Sequence, residues 1–249
     1  MTQDAPHRRP HAVLDLPSRR LKALKIERLL QLRRRRGPIN LLEIGTGSGG
    51  IAHYFATHAS LRCNVVAVDL VDQRVVSVGY SFQKIAGTSL PFIDGVFDVV
   101  ITNHVIEHTG VLPEQRHHLQ EVRRVMGVDG VAYLAVPNRW MLIEPHYRLA
   151  FLSWLPQSLR SPYVRLMRRG SYYDCEPLPA STLERLFREA GLAYKNLCTP
   201  ALRETLSLEG TQSVAAAFVA KFPDRLLERL TPIFPTLIYR LQHKTWNRE

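Results

Sequence analysis

The stretch LLEIGTGSGG, residues 41–50, decides the fold of this chain. An apolar run leads into four glycines within its last six residues. Glycine inside a regular element costs about 0.5–1 kcal/mol relative to alanine, so a backbone without side chains must serve a purpose here. The pattern predicts a buried strand, a tight turn whose exposed N–H groups favour an anionic group, and the start of a helix.

Apolar and amphipathic segments alternate on both sides of this turn. The spacing predicts strands over residues 39–45, 64–69, 96–102, 131–136, 194–198 and 213–220. It predicts helices over residues 21–36, 48–59, 72–82, 113–126 and 182–190, and helical periodicity over residues 223–242. Such alternation predicts an α/β fold with a doubly wound, mostly parallel sheet that binds ligands beyond the carboxyl ends of its strands.

The order of these segments divides the chain into predicted parts. Residues 1–20 form a flexible N-terminal tail rich in Pro and Arg, residues 21–222 hold the main domain, and residues 223–249 form a C-terminal helical extension. Residues 139–179 break the alternation with aromatic residues, Pro and Arg. We interpret this segment as an inserted helical lid that forms one wall of a substrate site.

Composition and charge limit the classes of function. No run approaches the roughly 18 apolar residues of a membrane span, and we expect no secretory signal at the N-terminus. Three cysteines without CxxC spacing fit reduced thiols in the cytoplasm. Lys and Arg number 33 against 22 acids, a formal charge of +11, with arginine clusters at residues 33–36 and 165–169. These clusters attract nucleic acid, anionic lipid or a phosphorylated substrate, or they are solvated faces.

Three motifs occur in the order of a known enzyme family. The segment EIGTGSGG begins at Glu43, Asp69 ends the second predicted strand, and LPFIDGVFDVVITNHVIEH spans residues 90–108. Together they resemble the class I S-adenosylmethionine-dependent methyltransferases, and the last segment matches the subgroup that includes the ubiquinone and menaquinone enzymes. The resemblance covers residues 41–137. It implies a seven-stranded Rossmann-like methyltransferase fold with S-adenosylmethionine as cofactor.

The resemblance also implies roles for single residues. Glu43 orients the glycine loop and faces the charged end of the cofactor, Asp69 binds the ribose, and Leu70 packs on the adenine. No acid stands just before Leu90, where relatives carry Gly-Asp, so backbone groups and Thr88 would read the adenine instead. The residues expected beside the methionine part are Gly45, Thr46, Gly47, Ser48, Gly49 and Asn103.

Histidines are the candidate catalytic residues. The fourth strand ends in TNHV without the signature of amine methylation, which disfavours the bases of DNA or RNA as acceptors. His104 and His108 would share a face of a helical turn, with Glu107 between them. Two histidines and a glutamate can bind a metal, and some ubiquinone-pathway relatives carry a similar trio. We expect instead that Glu107 and His108 hold the loop by hydrogen bonds, without a metal.

His146 is the more promising base. It lies in EPHYR, residues 144–148, inside the predicted lid. A histidine with Glu, Tyr and Arg nearby can act as a base or bind a polar acceptor, although a structural role remains the alternative. His117 and His118 lie on a predicted helix and are expected at its surface.

The sequence narrows the acceptor only to a class. Aromatic and Leu residues in the lid favour a partly apolar acceptor, and the basic, amphipathic residues 224–244 fit a membrane surface. We therefore expect O- or C-methylation of a small-molecule or lipid-linked acceptor, such as a quinone precursor or a lipid-linked saccharide. The alternatives are an RNA methyltransferase, although nucleic acid is disfavoured, and a non-catalytic S-adenosylmethionine-binding domain. The expected location is cytoplasmic, with peripheral membrane contact through the C-terminal helix.

Overall fold

The computed structural model describes residues 15–144, 146–210 and 214–244. The helices are α1 (Leu16–Leu30), α2 (Gly50–Thr57), α3 (Leu112–Val125), α4 (Gln157–Leu166), α5 (Ala180–Glu189), α6 (Cys198–Glu209), α7 (Val214–Lys221) and α8 (Asp224–Arg229). The strands are β1 (Ile39–Ile44), β2 (Cys63–Asp69), β3 (Ser81–Lys84), β4 (Phe97–Asn103), β5 (Met126–Pro137), β6 (Ile143–Glu144), β7 (Leu149–Ala150), β8 (Leu192–Asn196) and β9 (Thr236–His243). Single 3-10 turns occupy Leu32–Arg34, Ile106–His108, Leu152–Trp154 and Thr231–Ile233.

Seven strands form one sheet in the order β3-β2-β1-β4-β5-β9-β8. The first five run parallel, and β9 runs antiparallel to both of its neighbours. The predicted doubly wound, mostly parallel seven-stranded sheet is therefore confirmed. The strand order reverses between β1 and β4, and this switch point is where open α/β sheets bind their ligands.

The central strands are apolar on both faces, as a sheet covered by helices requires. Leu41 and Leu42 of β1 and Val99 and Val100 of β4 have no exposed surface. Each such side chain contributes about 1.5–3 kcal/mol through burial. In the described part of the chain, no helix is long and apolar enough to cross a membrane.

The prediction of a helix over residues 72–82 is wrong. The segment crosses the glycine loop without regular structure, and the Val75 N–H donates to the Ser48 carbonyl oxygen at 2.9 Å. Asp72 holds Arg74 in a local turn, because its carboxylate accepts from both the backbone and the guanidinium of Arg74. Local bonds of this kind compete with a helix. The chain becomes regular again only at β3.

The prediction of a C-terminal helical extension is also wrong. Only α8 is α-helical within residues 223–242, and β9 then enters the sheet between β5 and β8. Pro232 and Pro235 interrupt the helix, since proline lacks the N–H that a helix needs. The side chains of Leu237, Tyr239 and Leu241 are fully buried at the spacing of one strand face. Residues 245–249 lie outside the described ranges.

Residues 213–220, predicted as the last strand, form α7 from Val214 onward. The run of alanines in this segment favours a helix, because alanine has the highest helix propensity. β9 supplies the seventh strand instead. The sequence pattern in this region therefore predicts both elements wrongly, since a short apolar run fits a helix or a strand equally well.

Helix α1 begins inside the predicted N-terminal tail. Asp15 caps it, with Oδ2 accepting from the Ser18 N–H at 3.2 Å, so the helix includes residues 16–20. Residues 1–14 lie outside the described ranges. α1 passes close to the start of α2, where a Cβ on Gly50 would lie 2.7 Å from the Cβ of Arg19. Gly50 therefore permits this close helix contact.

The lid segment, residues 139–179, contains the β6–β7 hairpin and α4. It has a small core of its own, built from Leu149, Leu152, Val164, Tyr173 and Cys175. Arg160 of α4 is buried, and its guanidinium donates to Glu176 at 3.0 Å and to the Leu155 carbonyl oxygen at 3.0 Å. A buried charge needs such partners, so this arginine ties α4 to the rest of the lid.

Candidate active site

A cavity of about 610 Å³ lies at the carboxyl ends of β1, β2 and β4. The glycine loop and the lid segment both contribute to its wall. Twelve of the thirteen predicted site residues line it: Glu43, Gly45, Thr46, Gly47, Ser48, Asp69, Leu70, Thr88, Asn103, His104, His108 and His146. The predicted cofactor residue Gly49 does not line it.

The glycines of the loop have different roles. Gly45 and Gly47 have φ values of 75° and 51°, in the left-handed region that favours glycine. A Cβ on Gly45 would overlap the side chain of Val105. A Cβ on Gly49, where φ is 79°, would overlap the Tyr80 hydroxyl and the Val76 carbonyl oxygen. Gly49 therefore allows the residue 72–80 segment to pack on the loop.

Glu43 joins β1 to the loop and to α2. Its side chain is buried, and Oε2 accepts from the Thr46 hydroxyl at 2.7 Å and from the Ala52 N–H at 3.0 Å. Burial raises the pKa of Glu43 to about 8, because water is excluded from its charged form. The guanidinium of Arg19, which also lines the cavity, partly opposes this shift.

Asp69 fixes the loop from the end of β2. Its Oδ2 accepts from the Gly47 N–H at 2.9 Å, and its Oδ1 accepts from the Leu70 N–H at 2.7 Å. This contact between Asp69 and the glycine loop was not predicted from the sequence. A carboxylate offers about four acceptor positions, so Asp69 can hold the loop and still accept from a ligand.

The first histidine cluster surrounds a buried acid. Glu107 has no exposed side-chain surface, and its Oε1 lies 3.3 Å from His104 Nδ1 and 4.0 Å from His108 Nε2. Neither oxygen makes a well-aligned hydrogen bond with the described residues. Burial alone raises the pKa of Glu107, but the two histidines outweigh it and hold the pKa below its ordinary value. Burial lowers the pKa of His104.

His146 is oriented by a second buried acid. Its Nδ1 lies 2.7 Å from Glu144 Oε1, and the other oxygen of Glu144 accepts from the Tyr147 N–H at 2.7 Å. Burial alone lowers the pKa of His146, but the Glu144 carboxylate outweighs it, so the pKa is raised. The rings of His146 and His108 meet edge to face, 5.6 Å apart. The structure therefore brings the two predicted histidine groups together.

Two residues of this cluster were missed in the sequence. Asp174 lines the cavity, and the buried thiol of Cys175 lies 3.7 Å from His108 Nδ1 and 4.0 Å from His146 Nδ1. Burial raises the pKa of Cys175 well above its ordinary range. Where the structure describes the chain, two sets of side chains have a spacing that could hold a metal ion: His108, Asp174 and Cys175, and Glu144, His146 and Cys175. In the sequence, the position of Asp174 and Cys175 directly after two tyrosines of the lid segment is the one feature that could have indicated a role for them.

The segment LPFIDG is held by one ion pair on α3. Glu121 accepts from the Leu90 N–H at 2.7 Å, and Arg124 donates to the Leu90 and Phe92 carbonyl oxygens at 2.8 and 2.6 Å. These hydrogen bonds fix the position of Leu90, which follows Thr88 in the cavity wall. The prediction that His118 lies at the surface is wrong, because it is buried, lines the cavity and contacts the Thr102 hydroxyl at 3.0 Å.

Comparison with known proteins finds a methyltransferase domain within the chain. A family model described as a methyltransferase domain matches residues 42–134. The structure of the plantazolicin methyltransferase BpumL, solved with S-adenosylhomocysteine, has a TM-score of 0.57 and 16% identity over 92% of this chain and 85% of that one. Residues 42–134 therefore match a methyltransferase domain, and the fold is the one that class I S-adenosylmethionine-dependent methyltransferases share.

Two further proteins show how much of the chain the similarity covers. The YcgJ protein of Bacillus subtilis has a TM-score of 0.54 and 16% identity over 90% of this chain and 99% of that one. Ajmaline N-methyltransferase of Rauvolfia serpentina is 27% identical over 141 residues, which make up 53% of this chain and 44% of that enzyme. The chain thus matches less than half the length of this curated relative, and these comparisons do not place it in the ubiquinone subgroup.

The cavity fits S-adenosylmethionine, the cofactor of the class I methyltransferases. Ser48 Oγ and Asn103 Oδ1 are buried in its wall and have no hydrogen-bond partner among the described residues. Buried polar atoms without partners are costly, so these two are poised for a ligand that supplies them. The carboxylate and ammonium of S-adenosylmethionine offer an acceptor and donors of the required kind.

Proposed function

We propose that this chain transfers a methyl group from S-adenosylmethionine to an oxygen or carbon of a small-molecule or lipid-linked acceptor. One observation carries the proposal. His146, held by the buried Glu144, lines the same cavity as the glycine loop and Asp69. A cofactor site and an oriented base in one cavity are the two parts that methylation of a hydroxyl requires.

The cofactor would be held by the loop and the strand ends. Asp69, Leu70 and Thr88 would bind its adenosine part, and Ser48 and Asn103 would bind its amino and carboxyl groups. Bound S-adenosylmethionine supplies a methyl carbon on a positively charged sulfur. The neutral form of Glu43 would keep the loop in place through Thr46 and Ala52.

His146 would take the proton of the acceptor. Its Nδ1 is engaged by Glu144, which assigns the proton transfer to Nε2 and stabilises the imidazolium that forms. His104 and His108, on the buried Glu107, would bind polar groups of the acceptor. A nitrogen acceptor, as the name of the ajmaline enzyme indicates for that relative, has less need of such a base.

The position of one arginine cluster disfavours the RNA alternative. Residues 33–36 precede β1, whereas the cavity lies at the carboxyl end of β1. Six residues of strand separate these two edges of the sheet, a distance of about 20 Å. This cluster therefore cannot contact a substrate group that lies inside the cavity. The steep salt dependence expected for RNA binding would test the alternative directly.

The test is turnover with a panel of acceptors. We would incubate the protein with S-adenosylmethionine and catechols, phenols or polyprenyl-linked sugars, and measure S-adenosylhomocysteine. His146→Asn should lower kcat by about 10²-fold, as expected for loss of a general base. His117→Asn is the matched control, because His117 lies outside the cavity wall and contacts Ser89. Equal activity of both variants would contradict the role of His146.

A further inference from the structure

The outer face of the lid segment exposes many large apolar side chains. Of the twenty large apolar side chains that are exposed in the described ranges, nine lie in this segment, including Ile143 with 62% and Leu166 with 78% exposure. Soluble domains rarely leave such a concentration uncovered without a binding role. We call this set the lid surface: Trp140, Leu142, Ile143, Phe151, Trp154, Leu159, Leu166, Met167 and Tyr172.

Helix α4 is amphipathic with its apolar side turned outward. Arg160 and Val164 face the lid core, whereas Leu159, Pro162 and Leu166 are exposed. The exposed residues recur at intervals of three and four, so they form one stripe along the helix. This stripe is not needed to fold α4, because the buried side already holds the helix on the lid.

The hairpin continues the stripe with an aromatic cluster. The rings of Trp140 and Trp154 lie 5.5 Å apart, and those of Phe151 and Trp154 lie 5.3 Å apart. The Tyr163 hydroxyl of α4 donates to the Ala150 carbonyl oxygen of β7 at 3.3 Å, which joins the helix to the hairpin. The two parts therefore form a continuous surface. Tryptophan and tyrosine side chains are typical of the boundary between a membrane and water.

The lid segment carries an excess of positive charge. Residues 139–179 contain six arginines and three acids: Glu144 is buried, Asp174 lines the cavity, and Glu176 pairs with Arg160. Arg148, Arg165, Arg168 and Arg169 are exposed in the same segment as the apolar side chains. Each arginine near an anionic bilayer contributes about 1 kcal/mol to binding. The combination of an apolar stripe, an aromatic cluster and exposed arginines is complementary to an anionic lipid surface.

The same hairpin also reaches the cavity. His146 lies between β6 and β7 and lines the cavity, while Ile143 of β6 and Phe151 beyond β7 are exposed on the lid surface. A molecule whose tail lies in a bilayer beneath the lid surface would therefore present its head group close to His146. This arrangement favours a lipid-linked acceptor over a freely diffusing one.

We propose that the lid surface docks on an anionic membrane and that the acceptor is a lipid-linked molecule taken from that membrane. The docking replaces the predicted contact through a C-terminal helix, since residues 236–243 are a strand within the sheet. The choice of acceptor rests on the proposed methyltransferase function, whereas the docking does not. Docking is measured without turnover, so the two can fail separately.

The experiment is flotation of the full chain with vesicles of phosphatidylcholine, with and without about 30% phosphatidylserine. We expect binding to the anionic vesicles that weakens as salt is raised, because exposed charges are screened. Leu166→Glu should weaken this binding at least about tenfold, since it removes one apolar anchor and adds one negative charge that anionic lipid repels. Val128→Glu is the matched control, because Val128 is 77% exposed, lies in β5 and makes the same change outside the lid.

Three outcomes would overturn the docking. The wild-type chain could fail to bind vesicles of either composition. Leu166→Glu and Val128→Glu could weaken binding equally, which would leave only a general effect of net charge. The chain could bind a single-stranded RNA oligonucleotide but no vesicle, with Leu166→Glu reducing RNA binding, which would make the lid surface an RNA site. Binding of S-adenosylhomocysteine, measured on the same samples, separates each of these results from failure of the proposed function.

Discussion

Glu43→Gln should make the chain more stable at neutral and alkaline pH. In the folded chain burial raises the pKa of Glu43 to about 8, against an ordinary value of 4.5. The folded state therefore binds a proton that the unfolded chain has released, and stability falls as pH rises from about 4.5 to about 8. Glutamine resembles the protonated acid in shape and does not titrate. Its oxygen can accept from both Thr46 and Ala52, because both now donate to the same oxygen of Glu43.

The size of the effect follows from the two pKa values. At 1.36 kcal/mol per pKa unit, the wild type should lose about 3 kcal/mol between pH 5 and pH 8 through Glu43 alone. Burial also lowers the pKa of His118 to about 4, which costs stability in the opposite direction, as pH falls. Both proteins contain His118, so its contribution cancels when the two free energies of unfolding are subtracted. The difference leaves only the contribution of Glu43.

The assay is urea unfolding of both proteins, without cofactor, at pH 5, 6, 7 and 8. Tryptophan fluorescence gives the free energy of unfolding at each pH. We expect the variant to gain about 3 kcal/mol relative to the wild type from pH 5 to pH 8. A constant difference between the two proteins over this range would show that Glu43 is ionised throughout, and the reasoning from burial would be refuted.

Three further predictions concern the loop and the histidine cluster. Gly49→Ala should lower the free energy of unfolding by about 2 kcal/mol or more, because a Cβ there would be strained and would overlap its neighbours. The control is Gly87→Ala, whose Cβ would meet nothing within 4 Å, and it should leave the thermal midpoint nearly unchanged. Glu144→Gln should lower kcat by about 10²-fold with little change in KM, since an amide N–H directed at His146 Nδ1 would leave the proton on Nε2; a change confined to KM would contradict this orientation. Cys175→Ser and added EDTA should each leave turnover within about twofold, because burial keeps the Cys175 thiol protonated and a thiolate is the metal-binding form; inhibition by EDTA that zinc reverses would show a metal site.

The sheet and the cofactor side of the cavity were predictable because local signals agreed with the final fold. The run into Gly45 combines a buried strand, a left-handed turn and a helix start, and these three features are all local. Asp69 ends β2 and Asn103 ends β4, the two parallel strands on either side of β1, so the topology alone brings them to one edge of the sheet. Their individual contacts, such as Asp69 with the Gly47 N–H, depend on tertiary packing and were not predictable.

The errors occur where tertiary context overrides the local pattern. The apolar residues of β9 have a spacing that also fits a helix, and only the gap between β5 and β8 selects the strand. Cys175 approaches His108 and His146 through the packing of the lid core, which joins residues far apart in sequence. No spacing in the sequence predicts that these three side chains lie close together, so the cluster could be found only in the structure.

The most direct test of the central claim is calorimetric titration with S-adenosylhomocysteine. We expect the wild type to bind with a dissociation constant on the order of micromolar. Asp69→Ala should lose this binding, because Asp69 both holds the glycine loop and lines the cavity. Asp72→Ala is the matched control and should bind like the wild type, since Asp72 pairs with Arg74 outside the cavity wall. Absence of binding by the folded wild type, or equal loss in both variants, would contradict the assignment of this cavity to the cofactor.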